Sequence, residues 1–244
     1  MDCILVSLRK EIDLFLDLLK NVKKKKESGT SIYEGELNGK GIRVLMTGIG
    51  KKNPGVESLR GCTRIISTGF CGALVPDLNP GDVFMSAEIL SADSDYLAHL
   101  FGKRTRAPTS KARRTVRVEI DTPLFEQLAC SLEQEGVSFH EGRAVTADRI
   151  IKTRREKVTL HRATGALSVD MEDFHRYCIA QDVSAHFLSI RSVLDGIEDE
   201  IPGFKRGFRL GSDLSNILRH ISIAQIGIAV ALEKTLSLRL PNFP

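Results

Sequence analysis

The chain has 244 residues, 42% of them apolar and 27% charged, with a net charge of +4, proportions of an ordinary globular protein large enough to bury a core without staples. No apolar run approaches the roughly 20 residues that cross a bilayer, and Met1-Asp2-Cys3-Ile4-Leu5-Val6 has no basic stretch ahead of its apolar residues, unlike a secretory signal. Five scattered cysteines (3, 62, 71, 130 and 178) form no CxxC pair and no metal spacing with the histidines; the expectation is reduced thiols, no metal and a cytoplasmic location.

Ile4 to Ser7 reads as a short buried strand. Residues 9–22 then carry Ile12, Phe15, Leu16 and Leu19 at helical spacing. Two strand-like runs follow, "SIYEGELNG" and "GIRVLMTGIG", joined at Asn38-Gly39-Lys40-Gly41, a hairpin signal. A polar stretch with Pro54 and Gly55 leads through a short helix into a strand at 64–68, and 83–90 is another. Residues 122–135 read as a helix, capped by Asp121 or Thr122 and ended by Gly136. Then come a strand at 139–147, a charged helix at 152–163, a short strand at 167–170 running into a helix at 172–182, and an apolar strand at 186–194 that stops at Asp195-Gly196. The last segment, 213–236, carries Leu214, Ile217, Leu218 and Ile221 on one helical stripe. Strands and helices alternate throughout without a linker or repeat, which predicts one α/β domain over 1–244 whose mostly parallel or mixed sheet is covered on both faces.

Two basic stretches stand out: Lys23, Lys24, Lys25 and Lys26 in a row, and residues 103–117 with seven Lys/Arg and no acid. Neither interleaves aromatics as a base-stacking surface does, so a solvated turn and a surface loop are expected rather than a nucleic-acid site. Open α/β sheets bind ligands beyond the carboxyl ends of their strands. Four such ends carry suggestive residues: Ser7 to Glu11, Thr68 to Gly72, Asp170 to Glu172, and Arg191 to Asp195. Singly, each reads equally as a helix-dipole partner, a tight turn or a cap. Together they fall where a site is built.

The segments "IYEGELNGKGIRVLMTGIGK", "IISTGFCGALVPDLNPGDVF", "VDMED" and "IRSVLD" occur in an order and spacing that resembles the nucleoside phosphorylase/nucleosidase superfamily, nearest its methylthioadenosine/S-adenosylhomocysteine nucleosidase branch, across about residues 3 to 235. The resemblance implies a single-domain three-layer αβα sandwich with a central mixed sheet, a small-molecule nucleoside as ligand, a homodimer or larger oligomer, and no cofactor beyond phosphate as a co-substrate in the phosphorylases. It also implies cleavage of the bond between a ribose and a base through an oxocarbenium-like transition state. Asp195 matches the aspartate that protonates the purine N7. Glu172 matches the glutamate on the ribose hydroxyls and Met171 the methionine packed on the sugar. Glu11 falls at the water-activating glutamate of the hydrolytic branch, and Ile151 where the backbone holds the base.

The chain departs from that pattern in places. Phe70 replaces a serine or threonine hydroxyl beside the phosphate or water, and Ile150 replaces an aromatic that stacks on adenine. Gly196-Ile197-Glu198 replaces the usual continuation after the aspartate. With Cys71 between Phe70 and Gly72, the wall at 69–72 is apolar. A branch with a similar turn acts in hopanoid lipid biosynthesis, removing adenine from a nucleoside with a large apolar 5′ substituent, and such a wall suits that substrate. Cys71 as a nucleophile is a separate reading, though no histidine stands beside it in sequence. Glu11 favours water as the attacking group; Arg9, Lys10, Arg43 and a glycine turn at Gly69 are the candidates for holding phosphate. A third reading is a degenerate site that binds nucleosides or nucleic acid without catalysis.

Overall fold

A computed structural model describes residues 1–27, 29–52, 54–102, 113–118, 122–200 and 212–238. Strand β1 (Asp2–Val6) lies between two parallel neighbours, β4 (Lys40–Met46) and β5 (Arg64–Ala73), with Cys3 in register with Arg43 on one side and Ile65 on the other. A central strand is buried on both faces, so its alternate side chains feed two cores. Ile4 and Val6 pack with Phe15 and Leu16 of α1 (Asp13–Leu18), Leu128 and Leu132 of α3 (Thr122–Gln134), and Ile228 and Leu232 of α6 (Ser212–Ser237). Cys3 and Leu5 pack with Phe174, Ile179 and Ala180 of α5 (Asp173–Asp182). Helices therefore cover both faces of a mixed sheet, the three-layer arrangement expected.

On one side the sheet continues antiparallel through β3 (Thr30–Leu37) to β2 (Lys20–Glu27). The β3–β4 turn is the anticipated one: Asn38 and Gly39 take φ of 51° and 78°, the two left-handed residues of a tight hairpin. On the other side the sheet closes on itself. Strand β10 (His186–Asp195) pairs with β5 in parallel and with β6 (Val83–Ala92) antiparallel; β6 pairs with β8 (Phe139–Ala147), β8 with β9 (Ser168–Asp170), and β9 returns to β5. This ring brings the ends of β5, β9 and β10 together. An irregularity in the β10 register between Val193 and Asp195 sets Asp195 opposite Gly72.

Several expectations need correction. The helix anticipated over 9–22 is a 3-10 turn (Arg9–Glu11) followed by α1, which ends at Leu18. The four lysines lie in the edge strand β2, exposed along its length, where they discourage pairing with another chain. The disulfide joining Cys3 to Cys62 overturns the expectation of free thiols at those positions: β1 and β5 run side by side, which sets their Cα atoms 5.8 Å apart across 59 residues. Residues Arg113–Arg117, read as loop, form β7, paired with β6. Helix α2 (Ser94–Leu100) was not anticipated; the Asp93 carboxylate caps it by accepting from the N–H groups of Asp95 and Tyr96. Helix α4 (Arg154–Thr164) is capped by Thr153 and closed by Gly165 in the left-handed conformation. The rest of the basic stretch, 103–112, and Asp121 lie outside the described residues. No described helix is long and apolar enough to cross a membrane.

Candidate active site

The 3-10 turn directly after β1 folds Glu11 back over the end of its own strand. Its Oε2 accepts from the N–H groups of Ser7 (3.1 Å) and Leu8 (2.7 Å), and its Oε1 accepts from the N–H of Phe70 (3.1 Å). Burial raises the proton affinity of this carboxyl, and the Leu8 and Phe70 N–H groups partly offset that rise. The glycine at 69 follows from the same contact. A Cβ there would stand 2.8 Å from Glu11 Oε1, and φ is +141°, a region L side chains rarely adopt.

Glu172 enters from the end of β9. Its Oε1 accepts from the Gly50 N–H at 2.9 Å, and its Oε2 accepts from Nη1 of Arg191 at 3.3 Å. Arg191, fully inside on β10, also donates to the Phe70 carbonyl (3.0 Å) and to Oδ1 of Asp173 (2.6 Å). One guanidinium thus ties Phe70, Glu172 and the buried floor together. In that floor, Asp170 accepts from the N–H groups of Glu172 (2.7 Å) and Asp173 (2.8 Å) and from the Thr146 hydroxyl (3.1 Å). Burial, then the neighbouring Asp173 charge, pushes Asp170 up to about 7. Burial also works against ionised Asp173, but Arg191 and the Ser189 and Ser67 hydroxyls hold it below the ordinary carboxylate value. Arg176, also buried, donates to the carbonyls of Leu5 and Thr68 and to the hydroxyls of Ser7, Ser67 and Thr47, so it braces the ends of β1, β4 and β5.

Asp195 stands at the end of β10 against Gly72, where a Cβ would come within 3.0 Å of its Oδ2. Burial raises its proton affinity, opposed by Lys157, whose ammonium lies 2.6 Å from the same oxygen. The two outer acids therefore have different supports: Glu11 is held by backbone amides, Asp195 by a side chain from α4.

The remaining candidates separate clearly. Phe70 lies between Glu11 and Arg191 through its main chain, with its ring half-buried against the core. Met171 is half-buried beside Glu172; Ile151 is buried and Ile150 exposed. Burial pushes the Cys71 thiol far above its ordinary value, which leaves almost no thiolate for nucleophilic attack. Arg9 is paired with Asp13 and lies over the Tyr33 ring. Arg43 is not brought to the site: near the amino ends of the parallel strands, it donates to Glu34 (2.9 Å) and to the carbonyls of Ser58 and Arg60. Sequence reading missed Lys157 and Arg176, which look like surface charges on helices, and gave Arg191 no role although it stands in "IRSVLD". Among the described residues, no cluster of three or more His, Cys, Asp or Glu could hold a metal ion.

Known proteins resemble this chain throughout. A 5′-methylthioadenosine/S-adenosylhomocysteine nucleosidase of Staphylococcus aureus (strain JH9) is 24% identical over 200 residues, 79% of this chain and 85% of its own length. The nucleosidase of the same description from Neisseria meningitidis, solved in complex with methylthio-immucillin-A, superposes with a TM-score of 0.75 at 22% identity, over 96% of this chain and 97% of that one. Futalosine hydrolase of Helicobacter pylori strain 26695 superposes with a TM-score of 0.72 at 19% identity, over 96% of each. These superpositions carry the fold. The sequence also matches the family described as the phosphorylase superfamily over residues 2–208, most of the described chain, and the protein belongs to that superfamily.

Proposed function

We propose that this enzyme, which acts on N-glycosidic bonds, hydrolyses a purine nucleoside, with Glu11 as the base for water, Glu172 on the ribose hydroxyls and Asp195 as the acid for the departing base. The observation that carries this reading is the convergence of three largely buried carboxyl groups at the ends of β1, β9 and β10, each with its own support. Water attacks C1′ while Glu11 takes its proton. The C1′–N9 bond breaks with its electrons passing to the base, and Asp195 donates a proton to N7. The products are the free sugar and the neutral base. A carboxyl whose proton affinity is raised by burial suits both proton transfers.

Water is favoured over phosphate by what surrounds the nucleophile side. Glu11 would repel a dianion at short range, and the two arginines considered for phosphate are engaged with Asp13 and with Glu34. We further propose an apolar 5′ substituent on the substrate. Phe70 provides no hydroxyl, and Ile49, adjacent to the Gly50 that donates to Glu172, is half exposed. The Staphylococcus aureus relative is named for 5′-methylthioadenosine and S-adenosylhomocysteine, both adenosines altered at the 5′ end, which supports a purine nucleoside of that kind.

The test is base release from methylthioadenosine, S-adenosylhomocysteine, adenosine, inosine and an adenine nucleoside with a long apolar 5′ chain, each with and without phosphate. Release without phosphate, fastest for the apolar 5′ chain, is expected. Strict phosphate dependence would make the enzyme a phosphorylase, and silence across the panel would refute the substrate class.

A further inference from the structure

Lys157 has no exposed side-chain surface, and the steps above do not use it. It sits in the first turn of α4, where the surrounding Arg154, Arg155 and Glu156 are at least partly exposed. Its Nζ donates to Asp195 Oδ2 at 2.6 Å, to the Gly196 carbonyl at 2.5 Å and to the Asp199 carbonyl at 2.8 Å. An ammonium has three protons, and here each has an acceptor. Burying such a group is costly unless it is paired and fully hydrogen-bonded, so an apolar residue would serve better if the position only filled space.

We propose that Lys157 is a positioning residue for the leaving-group acid: it pins Oδ2 of Asp195, leaves Oδ1 to face the base, and fastens residues 196–199 to α4. This inference rests on the assignment of Asp195 as the acid. The proton given to N7 comes from Asp195 and is restored from solvent; Lys157 keeps all three of its own. Its fixed charge matters because Asp195 turns from acid to carboxylate as the base departs, so the pairing strengthens along the reaction. The same charge limits how far burial can raise the proton affinity of Asp195. Other groups facing this carboxyl are Asp199, whose Oδ2 accepts from the Gly196 N–H; His220 of α6, 3.8 Å from Asp199; and the buried Cys71 thiol on β5.

The experiment compares Lys157→Met, Asp195→Asn and the double variant on two substrates: a purine nucleoside from the panel, and 4-nitrophenyl β-D-riboside, whose leaving group departs without a proton. On the purine nucleoside, K157M is expected to lower kcat by about 100-fold or more with KM little changed. The alkaline limb of its pH profile should move to higher pH, because loss of the cation raises Asp195 further. On the nitrophenyl riboside, K157M and D195N should both stay within a few-fold of wild type, and the double variant should be no slower than D195N on either substrate. Equal losses on both substrates with an unmoved alkaline limb would reduce Lys157 to a structural brace and overturn the proposal. A wild-type enzyme inert toward both substrates would instead remove the reaction, and any positioning role with it. If K157M fails to fold, Lys157→Gln, which keeps an amide donor in the same space, carries the same comparison.

Discussion

In the proposed reaction, the two ends of the scissile bond are served by differently built halves of one site. On the nucleophile side, Glu11 is held by N–H groups from its own strand end and from Phe70, and Glu172 by the Gly50 N–H and Arg191. On the leaving-group side, Asp195 is held by one lysine of α4, 38 residues earlier in the chain. Backbone donors favour a carboxylate that must be ionised to accept a proton from water. A single fixed cation beside a desolvated carboxyl suits a group that must carry a proton and then lose it. In the proposed mechanism, one fold thereby runs base and acid chemistry with the same functional group.

The largest expected effect comes from breaking the leaving-group half. Asp195→Asn should lower kcat on purine nucleosides by about 10²–10⁴-fold with binding largely retained, measured by base release and ligand titration. Glu11→Gln should cost a similar factor of about 10²–10⁴, and unlike D195N it should slow the nitrophenyl riboside too, because the water still needs its base. Gly69→Ala should lower kcat by about 100-fold through displacement of the Glu11 carboxylate, since the added methyl stands 2.8 Å from Oε1; Gly61→Ala, also at positive φ but with open space around it, should leave kcat unchanged.

The pH profile separates the halves without mutation. In the proposed mechanism Glu11 must be ionised, so activity should fall as pH drops through its raised value. Asp195 in that mechanism must be protonated, so activity should fall as pH rises through its own. E11Q should remove the acid limb and D195N the alkaline one. A smaller effect lies in the floor shared by both halves. Asp170 holds its proton up to about 7 in the folded chain against roughly 3.9 in an unfolded one. Its contribution to stability is therefore complete below the unfolded value and is lost as pH rises toward 7. Asp170→Asn should flatten that decline in urea melts run from pH 4 to 8. The smallest effect is expected at Arg43, whose replacement by Ala should leave turnover unchanged because its partners lie away from the site.

The strand ends that carry the candidate carboxyl groups were legible in the sequence because their signals are local; the roles proposed for those groups came from the family resemblance. Apolar runs stop shortly before Glu11 and Glu172 and directly before Asp195, and Gly69 and Gly72 bracket a turn. The Asn38-Gly39 hairpin, the Gly136 stop and strand 139–147 were likewise written in adjacent residues. What escaped depends on distant pairing. Lys157 sits among charges that read as a solvated helix face, and only the approach of α4 to the end of β10 buries it. The lysine strand β2 has no apolar alternation and exists because β3 offers it an edge. Cys3 and Cys62 show no motif spacing; the parallel register of β1 and β5 brings them together. Arg43 looked available for phosphate because residue type alone does not reveal that Glu34 and two carbonyls already occupy it.

Water as the attacking group and Glu11 as its base are tested together by hydrolysis in H₂¹⁸O without phosphate, following the sugar product by mass spectrometry for wild type and E11Q. The wild-type enzyme is expected to give free base together with a sugar carrying one ¹⁸O at C1′, and E11Q to give neither at a comparable rate. A sugar 1-phosphate formed only when phosphate is added, or unimpaired ¹⁸O incorporation by E11Q, would contradict these roles.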